Sequence, residues 1–291
     1  MSSRRLSTFV IAAGLLTAAA APASAQQAAP ATRSIAQVAG DVYQFRNNGH
    51  YGMFQVTSEG VILVDPISPD AASWLKQELA TRFPGRPVRI IIYSHHDGDH
   101  SGGAEVFKDT VREIVAQENA PKGIAVDDRV SVMPTRTFSG RSSVTLGGET
   151  VELVELGPGH TDNLIGVRFP KAQTLLVVDL FSGRRLPFQG LAGNPDIDTI
   201  IGGLRRVEAM DFTILATGHS APSNIADLVG YRTFLENLRA QVLQARREGK
   251  SIAQMKQAIT MPAYKDWFNY EIWLPPSIEN MNAYLERIGA K

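Results

Sequence analysis

The residues of this chain that could do chemistry are concentrated in three short segments rich in glycine and aspartate. The densest reads SHHDGDH at 94–100, and the others read GPGHTDN at 157–163 and ATGHS at 216–220. Together these segments contain five of the six histidines, and His50 is the sixth. Imidazoles and carboxylates at this density are typical of metal-binding sites. The pattern therefore predicts a metal centre.

The spacing inside the densest segment suits two metal ions. His95, Asp97, Asp99 and His100 stand at i, i+2, i+4 and i+5. On a loop that leaves a strand, alternate residues can face one cavity while an adjacent pair points in two directions. Two-metal sites commonly share a bridging carboxylate, and Asp179 is well placed for that role at the end of an apolar run. Because the chain has no cysteine, every ligand must be a nitrogen or an oxygen atom.

Strand-like runs lead into these segments. The apolar, β-branched run at 88–93 predicts a strand covered on both faces, and it ends at the histidine cluster. Side chains at the C-terminal ends of buried strands converge on a crevice, where layered α/β proteins bind ligands. A strand at 212–216 would deliver His219 in the same way. Further strands are predicted at 42–45, 53–56, 61–64, 151–155, 164–169 and 174–178.

Helical patterns separate the strands and dominate the C-terminal part of the chain. Helices are predicted at 70–82, with Asp70 as the N-cap, and at 196–210. The tail contributes three more predicted helices, at 225–247, 252–259 and 278–288. Strands mixed with helices and followed by a helical tail predict an α+β fold, in which helices cover the outer faces of sheets.

These motifs, taken together, resemble the metallo-β-lactamase-fold hydrolase superfamily. The resemblance runs from about Gly40 to His219 and includes LVD at 63–65, the loop at 94–103, GPGHT at 157–161 and the strand end at Asp179. It implies a four-layer αβ/βα sandwich. With the helical pattern of the tail, we expect one domain at 35–222 and a C-terminal helical extension at 223–291 packed on it. For the first metal it implies His95, Asp97 and His160, for the second Asp99, His100 and His219, and for the bridge Asp179.

The resemblance also implies a reaction. A metal-bound hydroxide would attack an ester, lactone, thioester or amide, with Asp99 and Asp179 as the catalytic carboxylates. True β-lactamases of the superfamily usually have cysteine or serine where Asp179 stands, whereas glyoxalase-type and lactonase-type members have aspartate. Hydrolysis of β-lactams is therefore expected only as a side activity, and the partner of the protein is a small-molecule substrate.

Asp97 departs from the usual loop of the superfamily, which is His-x-His-x-Asp-His. The carboxylate adds negative charge and should favour harder ions. We expect one or two divalent metal ions, with zinc first and with iron or manganese as the alternatives because of Asp97. Two other functions stay open: an iron-dependent oxidoreductase similar to sulfur dioxygenases, and a degenerate, non-catalytic metal-binding protein.

Three further residues are candidates for supporting roles. His96 is expected to stand behind the ligands, although it is a conceivable substitute for Asp97. Asn163 could orient a ligand imidazole or donate to an oxyanion, and turn formation is the alternative. His50 follows a predicted Asn-Asn-Gly loop, and it is either an ordinary surface or core histidine or a contact for the substrate.

The N-terminus has the pattern of a secretory signal peptide at 1–25. Arg4 and Arg5 precede an apolar stretch, and the small residues at 23–25 predict cleavage after Ala25. We expect a flexible leader at 26–34, no stable membrane span once the signal is removed, and a periplasmic or secreted protein. Without residues 1–25 the chain would carry 29 − 2 = 27 basic groups against 29 acidic ones. This balance argues against a nucleic-acid partner, and the oligomeric state stays open.

Overall fold

Seven strands form the first sheet of the computed structural model, which describes residues 31–193 and 195–290. The predicted signal peptide and most of the predicted leader lie outside the described residues. The strands follow one another across the sheet in chain order. They are β1 (Arg33–Ala39), β2 (Val42–Asn47), β3 (His50–Thr57), β4 (Gly60–Val64), β5 (Val88–Ile92), β6 (Glu113–Gln117) and β7 (Arg136–Phe138). Residues 33 and 34, assigned above to the leader, therefore belong to the first strand.

Five strands form the second sheet, in the order β12-β11-β10-β9-β8. They are β8 (Arg141–Leu146), β9 (Glu149–Glu155), β10 (Ile165–Phe169), β11 (Thr174–Val177) and β12 (Ile214–Thr217). The strands β4 to β7 run parallel to one another, as do β11 and β12, whereas β4 is antiparallel to β3 and β11 to β10. Each parallel group brings the C-terminal ends of its strands to one edge of its sheet, which is where the site lies.

Seven α-helices accompany the sheets within the described residues. They are α1 (Pro69–Arg82), α2 (Gly98–Ser101), α3 (Ala120–Ile124), α4 (Ile197–Glu208), α5 (Ile225–Arg247), α6 (Ile252–Ala258) and α7 (Tyr270–Arg287). Among these, we find no helix with both the length and the apolar character that crossing a membrane requires.

The alternation of side chains along single strands divides the core into layers. In β4, Leu63 packs with α1 residues on the outer face of the first sheet, whereas Ile62 faces the second sheet. In β11, Leu176 faces the first sheet, whereas Leu175 packs with residues of α4, α5 and α7. Successive strand residues point to opposite faces, so an all-apolar strand requires cover on both. The predicted four-layer αβ/βα sandwich of the α+β class is confirmed.

Two helix starts differ from the predictions. The N-cap of α1 is Ser68, whose Oγ accepts a hydrogen bond from the amide of Ala71, and Pro69 follows at the first helical position. Asp70 instead lies in the first turn, where its charge suits the helix dipole. The helix α7 begins at Tyr270, eight residues before its predicted start, and includes Pro275 and Pro276. Because proline ordinarily ends a helix, the sequence pattern placed the start after this pair.

Candidate metal centre

A buried aspartate supports the loop that carries the histidine cluster. Asp65 follows β4 with a φ of 56°, a left-handed conformation that aspartate tolerates better than most residues. Its Oδ1 accepts a hydrogen bond of 2.8 Å from the Ser94 amide, and its Oδ2 accepts one of 2.6 Å from Ser94 Oγ. Its Oδ2 also lies 3.6 Å from Nδ1 of His100. The carboxylate therefore connects the end of β4 to the loop after β5.

These contacts determine which ring nitrogen the two buried histidines present. Because the Ser94 hydroxyl donates to Asp65, its oxygen is free to accept the Nδ1 proton of His95, 3.0 Å away. The Asp65 carboxylate likewise favours the proton on Nδ1 of His100. Both rings then offer Nε2 as a ligand atom, which is the role that a carboxylate behind a metal-binding histidine typically has.

The predicted residues of the first metal come together in one group. His95, Asp97, His160 and Asp179 each place one ligand atom within 4.8 Å of the others. Nε2 of His160 lies 2.8 Å from Oδ2 of Asp97, and Nε2 of His95 lies 3.6 Å from the same oxygen. Asp97 therefore points into the group, as a ligand in place of histidine must.

Asp179 lies between this group and a second one. Its Oδ2 is 3.4 Å from Nε2 of His95 and 3.4 Å from Nε2 of His100, and its Oδ1 is 2.9 Å from Nε2 of His219. His100, Asp179 and His219 form the second group with ligand atoms within 4.8 Å. Asp179 follows β11 in the chain and has a left-handed φ of 56°. One carboxylate thus faces both sets of imidazoles, which is the geometry that a bridging ligand needs.

Asp99 differs from its expected place. Its ligand atom groups with those of His50 and His219 rather than with those of His100 and Asp179. Oδ2 of Asp99 lies 3.2 Å from Nε2 of His50 and 3.8 Å from Nε2 of His100. The predicted set for the second metal is therefore spread over two overlapping groups that share His219.

His96 stands behind the first group. Its amide donates to Oδ1 of Asn163 at 2.9 Å, and its ring nitrogen Nδ1 lies 2.9 Å from Nδ2 of the same side chain. Its Nε2 lies 3.2 Å from Oδ1 of Asp97, the oxygen that faces away from His160. A Cβ at Gly123 would lie 2.2 Å from the His96 ring, so α3 can approach only with a glycine there. Asn163 and His96 therefore hold the Asp97 carboxylate from behind.

The donor atoms fit divalent metal ions. Nε2 of His95 is buried, and among the residues that the structure describes none forms a hydrogen bond with it. It faces the carboxylates of Asp97 and Asp179 instead. Imidazole nitrogens and carboxylate oxygens are ligands that zinc, iron and manganese accept. A positive charge between this nitrogen and the two carboxylates, supplied by a metal ion or by a proton on Nε2, satisfies all three groups.

Protons and metal ions compete for this site. Burial disfavours charge on His95, but the carboxylates of Asp179 and Asp97 outweigh burial and raise its pKa to about 10. Burial likewise opposes ionisation of Asp97, yet the imidazoles of His160 and His95 hold its pKa well below the usual range. The hydrogen bond with His50 lowers the pKa of Asp99 to about 2. Without metal, His95 is therefore protonated and Asp97 and Asp99 are ionised at neutral pH.

Removing the metal is expected to make the free energy of unfolding decrease as the pH rises. In metal-free protein the folded state holds the His95 proton up to a pKa of about 10, whereas the unfolded chain releases it near 6.5. The stabilisation is complete below 6.5 and is lost as pH rises through 10, at no more than about 1.4 kcal/mol per pH unit. Denaturant unfolding after chelation, from about pH 6 to about pH 9.5, measures this slope. Metal-loaded protein is the control and should lack it, and an equal slope in both forms would contradict the assignment of His95.

Substitution of Asp65 tests the support that this carboxylate gives to the histidine loop. Asp65→Ala is expected to cost about 3 kcal/mol in the free energy of unfolding, because buried donors of Ser94 lose their acceptors. Asp65→Asn keeps an acceptor for the amide but removes the charge beside His100. It should cost less stability and weaken metal binding about 10–100-fold. Chemical unfolding and metal titration separate the two effects, and equal behaviour of both variants would argue against them.

Comparisons with known proteins match the part of the chain that carries these residues. Residues 47–219 match the sequence profile of the metallo-beta-lactamase superfamily, a span that contains every residue of the three ligand groups. The 2,4-dinitroanisole O-demethylase subunit alpha of Nocardioides sp. (strain JS1661) is 32% identical over 164 residues, which cover 55% of this chain and 49% of that protein. The metallo-beta-lactamase type 2 of Elizabethkingia meningoseptica is 27% identical over 125 residues, covering 43% and 49%. The matched region is thus about half the length of each relative.

A solved structure shares the architecture. The metallo-beta-lactamase from Pontibacter korlensis superposes with a TM-score of 0.63 and covers 71% of this chain and 100% of its own. Its sequence identity is 18%. At that identity, the similarity concerns the fold alone.

Proposed function

This chain belongs to the metallo-β-lactamase superfamily, and we propose that it is a metal-dependent hydrolase with a two-metal centre. The superfamily binds divalent metal ions, and the chain brings matching ligand groups together. One observation carries the proposal: the two oxygens of Asp179 face histidines of both groups, at 2.9–3.4 Å for the nearest imidazoles. A site for a single structural ion would not need a carboxylate shared in this way.

Asp179 and Asp99 have different proposed roles in this centre. When bound, divalent ions lower the pKa of a coordinated water to about 7 and polarise a substrate carbonyl. Asp179 would hold both ions together through its two oxygens. Asp99 is partly exposed beside them, and its pKa of about 2 keeps it ionised at neutral pH. An ionised carboxylate at this place is suited to accept a hydrogen bond from a water molecule in the centre.

The identity of the metal depends on Asp97. We propose zinc as the first choice, because it accepts the imidazoles and carboxylates of both groups. The negative charge of Asp97 favours iron or manganese more than the usual histidine would. Its position, 2.8 Å from His160, supports direct coordination rather than a place outside the centre.

The proposed substrates are esters, lactones, thioesters and amides. The aspartate at 179 supports this choice, because the superfamily's true β-lactamases usually carry cysteine or serine there. Hydrolysis of β-lactams is proposed only as a side activity. The relative from Nocardioides is named for the O-demethylation of 2,4-dinitroanisole, so activated aryl ethers join the candidates for the present chain.

The proposed place of action is the periplasm or the exterior of the cell. The support is the pattern at 1–25, in which two arginines, an apolar stretch and small residues before a cleavage point succeed one another. Determining the N-terminal residue of exported protein checks the proposal, which requires that the mature chain begin at Gln26.

Iron-dependent oxidation is the second candidate. The observation that favours it is the carboxylate of Asp97 inside the first ligand group, which suits iron better than an all-imidazole set. A third reading is a protein that binds metal without turnover.

One experiment separates these readings. Purified protein is stripped, reloaded with zinc, manganese or iron, and assayed with nitrocefin, lactones, p-nitrophenyl esters, a thioester and 2,4-dinitroanisole, while oxygen consumption is followed. Hydrolysis without oxygen uptake supports the proposal. Turnover confined to the iron form, with oxygen uptake, supports oxidation. Bound metal with no turnover in any form supports the non-catalytic reading, and failure to bind metal would overturn the metal centre itself.

A further inference from the structure

His50 lies inside the metal centre rather than at its border. It is the first residue of β3, and its Nε2 lies 3.2 Å from Oδ2 of Asp99. Its ring centre is 4.9 Å from that of His219 and 5.8 Å from that of His100. His50, Asp99 and His219 each offer one ligand atom within 4.8 Å of the others.

Backbone hydrogen bonds on both sides of His50 fix its position beside His219. In the β2–β3 hairpin, Asn47 pairs with His50 across a turn that includes Asn48, whose φ is 57°. The amide of Tyr51 donates to the carbonyl of Gly218 at 2.8 Å. The hairpin thus contacts the loop that carries His219, immediately beside the ligand. Both histidines are positioned by one hydrogen-bonded junction between the two sheets.

The same turn determines which nitrogen His219 presents. Nδ1 of His219 lies 3.0 Å from the carbonyl oxygen of Gly49, which can only accept, so the proton is on Nδ1. His219 therefore directs Nε2 towards the centre. A hairpin that prepares one ligand and places a second imidazole next to it, within 4.8 Å, is arranged as part of a metal site.

Asp99 is oriented so that one oxygen is available beside His50. Its Oδ1 lies 3.6 Å from Nη1 of Arg129, which also forms an ion pair with Asp127 at 2.6 Å. Asp127 in turn accepts a hydrogen bond of 2.9 Å from the amide of Gly98. Arg129 and Asp127 thus hold the outer side of Asp99, and Oδ2 faces inward with Nε2 of His50.

We propose that His50 is a direct ligand of the second metal ion, together with Asp99 and His219. The inference rests on the proposed two-metal function and goes beyond it, because it adds a ligand from β3 to the centre. In this arrangement the first metal has a carboxylate at position 97 instead of an imidazole, and the second metal has one additional imidazole, that of His50. The ligand taken is a divalent ion that accepts nitrogen, such as zinc or cobalt.

Titration of the stripped full-length protein with Co²⁺ tests the proposal. Competition with a chromophoric chelator gives the affinities, and the visible absorption reports the ligand set. Wild-type protein should bind two equivalents. The variant His50→Gln should weaken the second by more than 100-fold, beyond the roughly 10–100-fold that loss of a supporting partner costs. Its cobalt spectrum should change at the second equivalent, and X-ray absorption should count fewer imidazoles per metal.

Two further variants make the outcome decisive. Glutamine can still hydrogen-bond Asp99 but is a poor metal ligand, whereas His50→Asp supplies a carboxylate and should restore much of the affinity. Tyr51→Phe changes the next residue of the hairpin and serves as the control. It should bind Co²⁺ with wild-type affinity and show the wild-type visible spectrum. Wild-type affinity and spectrum in His50→Gln would overturn the inference and leave the hydrolase proposal intact. If wild-type protein bound only one equivalent of Co²⁺ and His50→Gln left that binding unchanged, the inference would also be overturned. If wild-type protein bound no metal, both the inference and the hydrolase proposal would be overturned.

Discussion

Replacement of Asp179 by asparagine is expected to lower kcat/KM for any hydrolysed substrate by about 10³-fold or more. Asparagine preserves the size of the side chain but removes the charge that faces both groups of histidines. Its amide would also direct a donor at Nε2 of either His95 or His219, which now lie 3.4 and 2.9 Å from the carboxylate oxygens. The two metal ions would lose their common ligand. We expect at least one equivalent of metal to be lost as well.

The measurement is turnover of the best substrate together with metal content after equal loading. Asp211→Asn is a matched control, because it makes the same chemical change at an exposed ion pair with Arg168. It should leave both activity and metal content unchanged. Near-wild-type turnover by Asp179→Asn, with both metals in place, would rule out the bridge and with it the proposed arrangement of the centre.

Conversion of Asp97 to histidine is the second change with a large expected effect. It restores the usual loop of the superfamily and removes one negative charge from the first ligand group. We expect the preference of the first metal for zinc over manganese to rise by about 100-fold, because imidazole is the softer ligand. The side chain at 97 is 22% exposed, so part of the larger ring can extend towards solvent. The pKa of His95, which Asp97 helps to raise, should also fall.

Asp97→Asn separates charge from ligand type. It removes the same charge but supplies no imidazole, so the first metal should bind more weakly for every ion tested. Competition between zinc and manganese, followed by metal analysis of each variant, provides the comparison. An unchanged metal preference in Asp97→His would show that Asp97 is not a ligand, and its contact with His160 would then be an ion pair alone.

Much of the fold could be predicted because its signals are local. The apolar run before the histidine cluster became β5, and the run before Asp179 became β11. A continuous apolar strand must be covered on both faces, so these runs already required a layered protein. The strands β1, β6, β7 and β8 were not predicted. In β8, three of the six residues are exposed, so the apolar pattern there is weak. Helix α7 was placed too late because its prolines obscure the first turns.

The candidate ligands were also readable from the chain, since metal chemistry restricts them to histidine and aspartate in a protein without cysteine. Their assignment to one metal or the other came from a resemblance. The structure brings His95, Asp97, His160 and Asp179 together in one group. It separates Asp99 from His100 and places it beside His50 instead. No spacing in the sequence relates residues 50 and 99, so their contact could not be predicted.

The sequence by itself determined which ligand atoms are available and which charge each of them carries, because both depend only on residue identity. Only the tertiary structure decided which ring nitrogen each histidine presents, and that the Asp179 carboxylate faces two groups of imidazoles. Asp65 directs His95 and His100 from a strand end some 30 residues away, and the β2–β3 hairpin reaches His219 across about 170 residues. Hydrogen bonds and ion pairs act over a few ångströms, and which side chains come that close depends on how the two sheets pack. Asp97 was the irregularity visible in the sequence, whereas the contact between His50 and Asp99 depends on the packing of the two sheets.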